Sequence, residues 1–193
     1  MRCFVAIELS EGVRRCLADL QQRLMRTAPG VRWVDPESMH LTVKFLGEVP
    51  DRRIPELCTA LSRIAGRCEP FDLRVRSTGC FPPHGGVRVV WVGLEETTGR
   101  LAACQRLCED TFAEMGFARE DRDFVPHLTL GRVKDPRQAS GLRQVVASHA
   151  AFEAGTVSVN RIVLFESRLS PQGAHYVPVS HVTFQPGTLQ GAG

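Results

Sequence analysis

The sequence predicts an α+β protein, with two pseudo-twofold-related lobes of antiparallel sheet, helices on the outer faces and a central cleft. Three observations carry that prediction. Strand-like and helix-like segments interleave along a chain of 193 residues that is 43% hydrophobic, enough for a single two-lobed domain spanning 1–193. The tripeptide His-Leu-Thr, followed by a large apolar residue, occurs at 40–43 (HLTV) and again at 127–130 (HLTL). Each copy opens a strand that is followed by a helix and then by a long strand carrying an aromatic (TGCF, IVLF), an internal duplication too long in period for a solenoid.

The elements follow in order. RCFVAIEL (2–9) is rich in β-branched and aromatic residues and reads as a buried strand. Ser10 is placed to cap a helix over 11–28, with Val13, Leu17, Leu20 and Leu24 on one face and Pro29-Gly30 as its stop. Residues 31–49 form two extended pieces broken at Asp35-Pro36. Ile54, Leu57, Leu61 and Ile64 mark a second helix. FDLRVRSTGCFP alternates as a strand, with Phe71, Leu73 and Val75 inward and Asp72, Arg74 and Arg76 outward. PPHGG is a turn, VRVVWVGL a strand and residues 98–117 a helix. The second half continues with HLTLGRV as a strand, 138–152 as a helix, 155–170 as one long strand and HYVPVSHVTF as a last strand. The glycine-rich tail from about 185 is expected to fray.

Charge and cysteine usage narrow the function classes. The net charge is +3, too mild to imply tight non-specific nucleic-acid binding. The only lysines are Lys44 and Lys134. The seven cysteines are odd in number and lack a Cys-x-x-Cys pair, so they read as reduced, mostly buried thiols rather than zinc ligands. The opening MRCFVAIELSEG has too short an apolar run for a secretory signal, and no apolar stretch reaches the roughly 18 residues that span a bilayer. These features predict a cytoplasmic protein with no membrane partner.

In a strand, alternate side chains share a face, so His40 sits with Thr42 and His127 with Thr129, while Leu41, Val43, Leu128 and Leu130 point into a core. Pseudo-twofold lobes would turn these two faces toward each other. Two imidazoles and two hydroxyls in one groove suit in-line displacement at phosphorus. One imidazole takes a proton from the nucleophile and the other gives one to the leaving oxygen, and an unperturbed pKa near 6.5 permits both states near neutrality. Threonine hydroxyls can donate to the non-bridging oxygens where charge accumulates. No carboxylate cluster suited to a two-metal phosphoesterase is seen, so neither metal nor cofactor is expected. A single His-Leu-Thr would read as ordinary strand sequence; two copies in the same structural context point to chemistry.

The chain resembles the two-histidine (2H) phosphoesterase superfamily, and in particular the LigT-like RNA 2',3'-cyclic phosphodiesterases of the 2'-5' RNA ligase family. The resemblance runs through RCFVAIEL, VRWVDPESMHLTVKFLGEV, GCFPPHGGVRVVWVGL, FVPHLTLGRV and IVLFESRLSPQGAHYVPV. It implies a LigT-like bilobal fold, with His40 as proton donor and His127 as proton acceptor, roles that sequence symmetry alone leaves open. The implied reaction opens a 2',3'-cyclic phosphate at an RNA end to a 2'-phosphomonoester, by metal-independent catalysis. Its reverse would join such an end to a 5'-hydroxyl in a 2'–5' linkage. The expected partners are RNA or oligonucleotide ends bearing the cyclic phosphate, and the expected state is a monomer.

Other residues carry competing readings. Arg132 falls on the wrong face by strict alternation, unless Gly131 bulges the strand; the resemblance favours a phosphate or substrate role. Lys44 shares the ideal-strand face of His40 but reads as a solvated edge residue. Arg74, Arg76 and Arg88 could form a basic rim for RNA, and Phe4 and Phe81 could stack on a base, against plain surface and core roles. Trp33 and Trp91 read as packing residues. Asp35, Asp121 and Asp123 are candidates to orient an imidazole. His84, His149 and His181 read as a turn, helix-end and strand-surface residue, and His175 as a residue near the cleft. The competing readings are an RNA- or nucleotide-binding module of the same fold, and a phosphodiesterase for another cyclic or 2'–5'-linked nucleotide.

Overall fold

A computed structural model describes residues 1–170 and 173–185. The expected fraying from about 185 falls almost wholly outside the described residues. Among the described residues, nine strands and four α-helices follow one another as β1 (Arg2–Glu8), α1 (Glu11–Met25), β2 (Val31–Trp33), β3 (His40–Glu48), α2 (Ile54–Ala65), β4 (Phe71–Phe81), β5 (Val89–Glu95), α3 (Arg100–Glu114), β6 (His127–Val133), α4 (Leu142–Ala147), β7 (Glu153–Val159), β8 (Arg161–Ser170) and β9 (Gly173–Thr183). The strands form two antiparallel sheets, ordered β3-β1-β8-β9 and β2-β6-β5-β4-β7.

Local sequence accounts for most boundaries. The Ser10 side chain accepts from the Val13 amide, capping α1, and Val13, Leu17, Leu20 and Leu24 are all buried. Asp35 caps a single 3₁₀ turn at Pro36–Ser38 that separates β2 from β3. Leu57, Leu61 and Ile64 of α2 are buried, and β4 alternates as expected over Phe71–Arg76. All seven cysteines are free thiols, five of them buried.

Two expectations are corrected. The helix expected over 138–152 is confined to Leu142–Ala147. Gly141 starts it from the left-handed region (φ +78°), and the residues before it make a 3₁₀ turn instead. The single strand expected over 155–170 is two strands broken at Asn160, and they belong to different sheets: β7 pairs with β4, and β8 lies between β1 and β9.

The duplication is visible as two matching triplets, β3-β1-β8 and β6-β5-β4. The third strand of each triplet comes from the other half of the sequence. β4 follows the first His-Leu-Thr strand yet joins the sheet of the second, and β8 does the converse. Helices are exchanged too: α1 follows β1 but packs on β7 and β2, and α3 follows β5 but packs on β3. One contiguous core therefore runs through both halves, from Val5 and Leu41 to Val90 and Leu128.

Candidate active site

β3 and β6 carry the same burial profile from their first residue. His40, Leu41, Thr42, Val43, Lys44 and Phe45 run half-buried, buried, half-buried, buried, buried, exposed, and so do His127, Leu128, Thr129, Leu130, Gly131 and Arg132. Two successive buried residues break the period of a regular strand. The register gives the reason. Thr42 pairs with Ala6 and Lys44 with Val5, so Val43 is an extra residue; Thr129 pairs with Trp91 and Gly131 with Val90, so Leu130 is another. Each His-Leu-Thr-X therefore ends in a β-bulge at X, which inverts the facing of the two residues that follow it.

The bulges settle two residues. Lys44 does not sit as a solvated edge residue: the Val43 bulge sends it to the core side, where its side chain is 2% exposed. Its ammonium donates to Glu109 Oε2 of α3 (2.7 Å) and to the Ala118 carbonyl (2.5 Å). Glu109 also accepts from the Glu120 amide at 3.3 Å. Arg132 is turned back to the face of Thr129, and the extra residue is Leu130 rather than Gly131. Gly131 occupies the site matching Lys44 because the Val31 side chain would lie 2.6 Å from any added Cβ. Gln21, buried on α1, braces this bulge by donating to the carbonyls of Leu130 (2.8 Å) and Val34 (2.7 Å).

A cavity of about 610 Å³ is lined by His40, Thr42 and Phe45 from β3 and by His127, Thr129 and Arg132 from β6. The size lies within the usual range for small-molecule sites. Both histidines are oriented alike. His40 Nδ1 lies 2.8 Å from the Ser38 carbonyl, and His127 Nδ1 lies 2.7 Å from the Val125 carbonyl. A carbonyl only accepts, so Nδ1 carries the proton in each ring and Nε2 remains for chemistry. Backbone carbonyls thus do the work for which Asp35, Asp121 and Asp123 were candidates; Asp35 instead caps the 3₁₀ turn, and Asp123 lines the cavity wall.

The packing around the two rings differs. His40 stacks on Phe4 (4.8 Å between centroids, 29° between planes) and meets Tyr176 edge-on at 4.9 Å, and Phe165 lies beside both stacked rings, 5.4 Å from Phe4 and 6.1 Å from His40. This aromatic enclosure removes water, and burial pushes the His40 pKa below the ordinary imidazole value; the Ser38 carbonyl opposes the shift, and the Arg14 charge adds to it. His127 meets Phe81 edge-on at 5.1 Å, and Phe81 leans on Trp91, whose indole lies over Gly79. Phe4 is 3% exposed and Phe81 half-buried, so both serve the histidines rather than presenting a free face to a base.

The remaining candidates lie outside the cavity. Arg74 pairs with Glu153, and Arg76 with Glu95 and Glu153, so neither is a free basic rim. His84 is exposed, His149 Nδ1 lies 3.0 Å from the Val145 carbonyl, and His181 lies 3.7 Å from Glu8. His175 lines a smaller cavity of about 270 Å³ that shares His40 and Tyr176 with the first and includes Arg14. Sequence reasoning missed Tyr176, Phe165, Phe45 and Glu109. Tyr176 is the only tyrosine of the chain, a signal that was available. Among the described residues, no group of three or more His, Cys, Asp or Glu side chains converges as a metal-binding set, and no helix is long and apolar enough to cross a membrane.

Comparison with known proteins places this geometry. The family model described as LigT like Phosphoesterase matches the chain twice, over residues 7–91 and 92–176. An RNA 2',3'-cyclic phosphodiesterase of Methanothermobacter thermautotrophicus is 36% identical over 178 residues, covering 91% of this chain and 95% of that protein. One of Thermotoga maritima is 33% identical over 191 residues, covering 98% and 99%. Among solved structures, TT0787 of Thermus thermophilus superposes with a TM-score of 0.82 at 29% identity, covering 97% of this chain and all of that one. Escherichia coli LigT complexed with 3'-AMP shares the fold, with a TM-score of 0.75 at 24% identity over 95% and 97% of the two chains.

Proposed function

The chain belongs to the LigT-like phosphoesterase family, and from that premise we propose that it is an RNA 2',3'-cyclic phosphodiesterase working by metal-independent acid–base catalysis between His40 and His127. The observation that carries the proposal is the pair of bulged His-x-Thr strands, matched residue for residue in burial and turned onto one cavity.

The cyclic phosphate sits between the two strands. The Thr42 and Thr129 hydroxyls and the Arg132 guanidinium hold its non-bridging oxygens, where charge builds toward the transition state. His127 Nε2 takes a proton from water as the water oxygen bonds to phosphorus. The P–O3' bond breaks in line, and protonated His40 gives its Nε2 proton to O3', leaving a 2'-phosphomonoester and a free 3'-hydroxyl. A 5'-hydroxyl in place of water, or the reverse of that step, makes or breaks a 2'–5' linkage with the same groups. The apolar enclosure of His40 disfavours its charged form in the free enzyme, and an arriving phosphate anion favours it, so acid strength is coupled to substrate binding. On this reading the chain acts as a single-domain monomer of the cytoplasm on RNA ends.

The test is to offer the protein 2',3'-cyclic mononucleotides, a cyclic-phosphate-ended oligonucleotide and a 2'–5'-linked dinucleotide, with EDTA present. The expected product is a 2'-phosphomonoester at an undiminished rate. Activity lost to EDTA and restored by a divalent cation would overturn the two-histidine mechanism. Binding without turnover would favour the RNA-binding module.

A further inference from the structure

Two stretches of the cavity lining lie beyond the histidines and threonines, and they differ in charge. One is formed by α3 and the loop after it. There Glu109 is neutralised by Lys44, and the exposed Glu120, Arg122 and Asp123 set two carboxylates against one guanidinium. The other lies over the start of β1, where Arg2, Cys3, Gly47, Ser167 and Ala174 line the cavity and Arg2 carries the one charge. The alternation of β1 fixes which way Arg2 faces. Cys3, Val5 and Ile7 belong to the shared core, whereas Phe4 and Ala6 belong to a separate cluster on the opposite face, so Arg2 stands with Phe4 on the cavity side. Glu48 is directly across from Arg2 on β3, a position from which opposite charges ordinarily pair. They do not pair here. Among the described residues no carboxylate lies within ion-pair distance of Arg2, and Arg2 lines the cavity while Glu48 does not. Ser167 faces Arg2 from β8, and with Gly47 and Ala174 it is too small to cover the exposed guanidinium.

We propose that Arg2 binds a phosphodiester of the RNA strand upstream of the cyclic end, and that the strand leaves the cavity over the start of β1. The proposal rests on the cyclic-phosphate reading and extends it from the reacting group to the chain behind it. Thr42 pairs with Ala6, and Arg2 is four residues along β1 from Ala6, a rise of roughly 13 Å. A phosphate at Thr42 is held by the threonines and Arg132, so Arg2 is left for a phosphate farther up the strand. Charge favours the same route. A polyanion is repelled by the stretch with surplus carboxylate and drawn to the one whose single charge is a bare guanidinium. A contact to the backbone carries no sequence information, so Arg2 selects for a strand over a free nucleotide without selecting a base. The site is thereby one for RNA ends rather than for cyclic mononucleotides.

The test compares adenosine 2',3'-cyclic phosphate with a tetranucleotide ending in the same cyclic phosphate, each from low to physiological salt. Wild-type kcat/KM is expected to favour the tetranucleotide at low salt, and its logarithm to fall with log salt more steeply by about 0.7, the contribution of one phosphate contact on a single strand. Arg2→Gln should lower the tetranucleotide value by about 5- to 30-fold at low salt, mostly through KM, with a much smaller loss on the mononucleotide, and should abolish the difference in slope. Arg2→Lys keeps the charge and should keep most of that difference. Arg2 is exposed, so its replacement should move the melting temperature by only about a degree or two. Arg122→Gln, in the other stretch, should leave the preference for the tetranucleotide intact. Equal slopes in the wild type, or a loss in Arg2→Gln that is proportionate on both substrates, would overturn the assignment while the cyclic-phosphate activity stands. So would a preference that survives Arg2→Gln and disappears in Arg122→Gln, because the strand would then leave past the loop. If wild-type protein opens neither substrate, the cyclic-phosphate reading itself fails, and the assignment with it.

Discussion

Replacing Lys44 by Met should cost the fold about 3–5 kcal/mol, although the two side chains are nearly the same length. The Lys44 side chain is 2% exposed and that of its partner Glu109 is 11% exposed. Removing the cation leaves Glu109 with two weak contacts, the Glu120 amide at 3.3 Å and the Gln105 amide at 3.4 Å, and takes the side-chain donor from the Ala118 carbonyl. Breaking a buried pair from one side is worth about 3–5 kcal/mol because a charge is stranded, not because the pair was strongly favourable. For a chain of this size that corresponds to a fall in melting temperature of roughly 6–20 °C. The double variant Lys44→Met/Glu109→Leu strands nothing and should recover most of the loss. Urea unfolding of wild type, both single variants and the double variant, compared at constant m-value, measures the coupling. A single variant within 1 kcal/mol of wild type, or a double variant no better than the worse single one, would refute the reasoning.

The other expectations concern catalysis. His40→Ala and His127→Ala should each lower turnover by about 10²–10⁴ while remaining folded, and near-normal turnover in either would remove that histidine from the mechanism. With His40 as the acid, activity requires its protonated form, which is lost as pH rises. Because burial lowers its pKa, the alkaline limb of kcat/KM should lie below the usual imidazole value of about 6.5, and a limb above pH 7 in the free enzyme would contradict the assignment. Thr42→Val and Thr129→Val keep the β-branched shape and remove one donor, so each should lose roughly 2–4 kcal/mol of transition-state stabilisation, more in kcat than in KM. Unchanged single-turnover rates with a lowered melting temperature would mean that these hydroxyls are structural.

The paired His-x-Thr motif was legible because strand periodicity is a local property: two residues apart means one face, wherever the strand goes. The facing of Lys44 was not legible, because a bulge is set by the partner strand, and nothing in HLTVKF says that Val43 will be the extra residue. In the second motif Gly131 gave the hint, and the extra residue still lies one position earlier. The break at Asn160 had a signal in the sequence: Val157 and Val159 alternate, whereas Ile162, Val163 and Leu164 run continuously, as suits a strand buried on both faces. The enclosure of His40 depends on Tyr176 and Phe165, which reach it only through the pairing of β8 with β1 and β9, a long-range contact that no local pattern encodes.

The exchange of strands and helices between the halves has a mechanical consequence. Enzymes that grip a substrate between two lobes commonly swing them about a hinge of a few residues. Here each sheet holds a strand supplied by the opposite half, hydrogen-bonded on both sides: β4 between β5 and β7, and β8 between β1 and β9. Swinging one sheet away from the other would strain the connections into both ladders and drag α1 and α3 off surfaces that belong to the shared core. The jaws are therefore set before the substrate arrives. The spacing of the two imidazoles is a property of the folded chain rather than of the bound complex, and the rate of a cycle should be governed by chemistry and by diffusion in and out of an open groove, without a closing step to wait for.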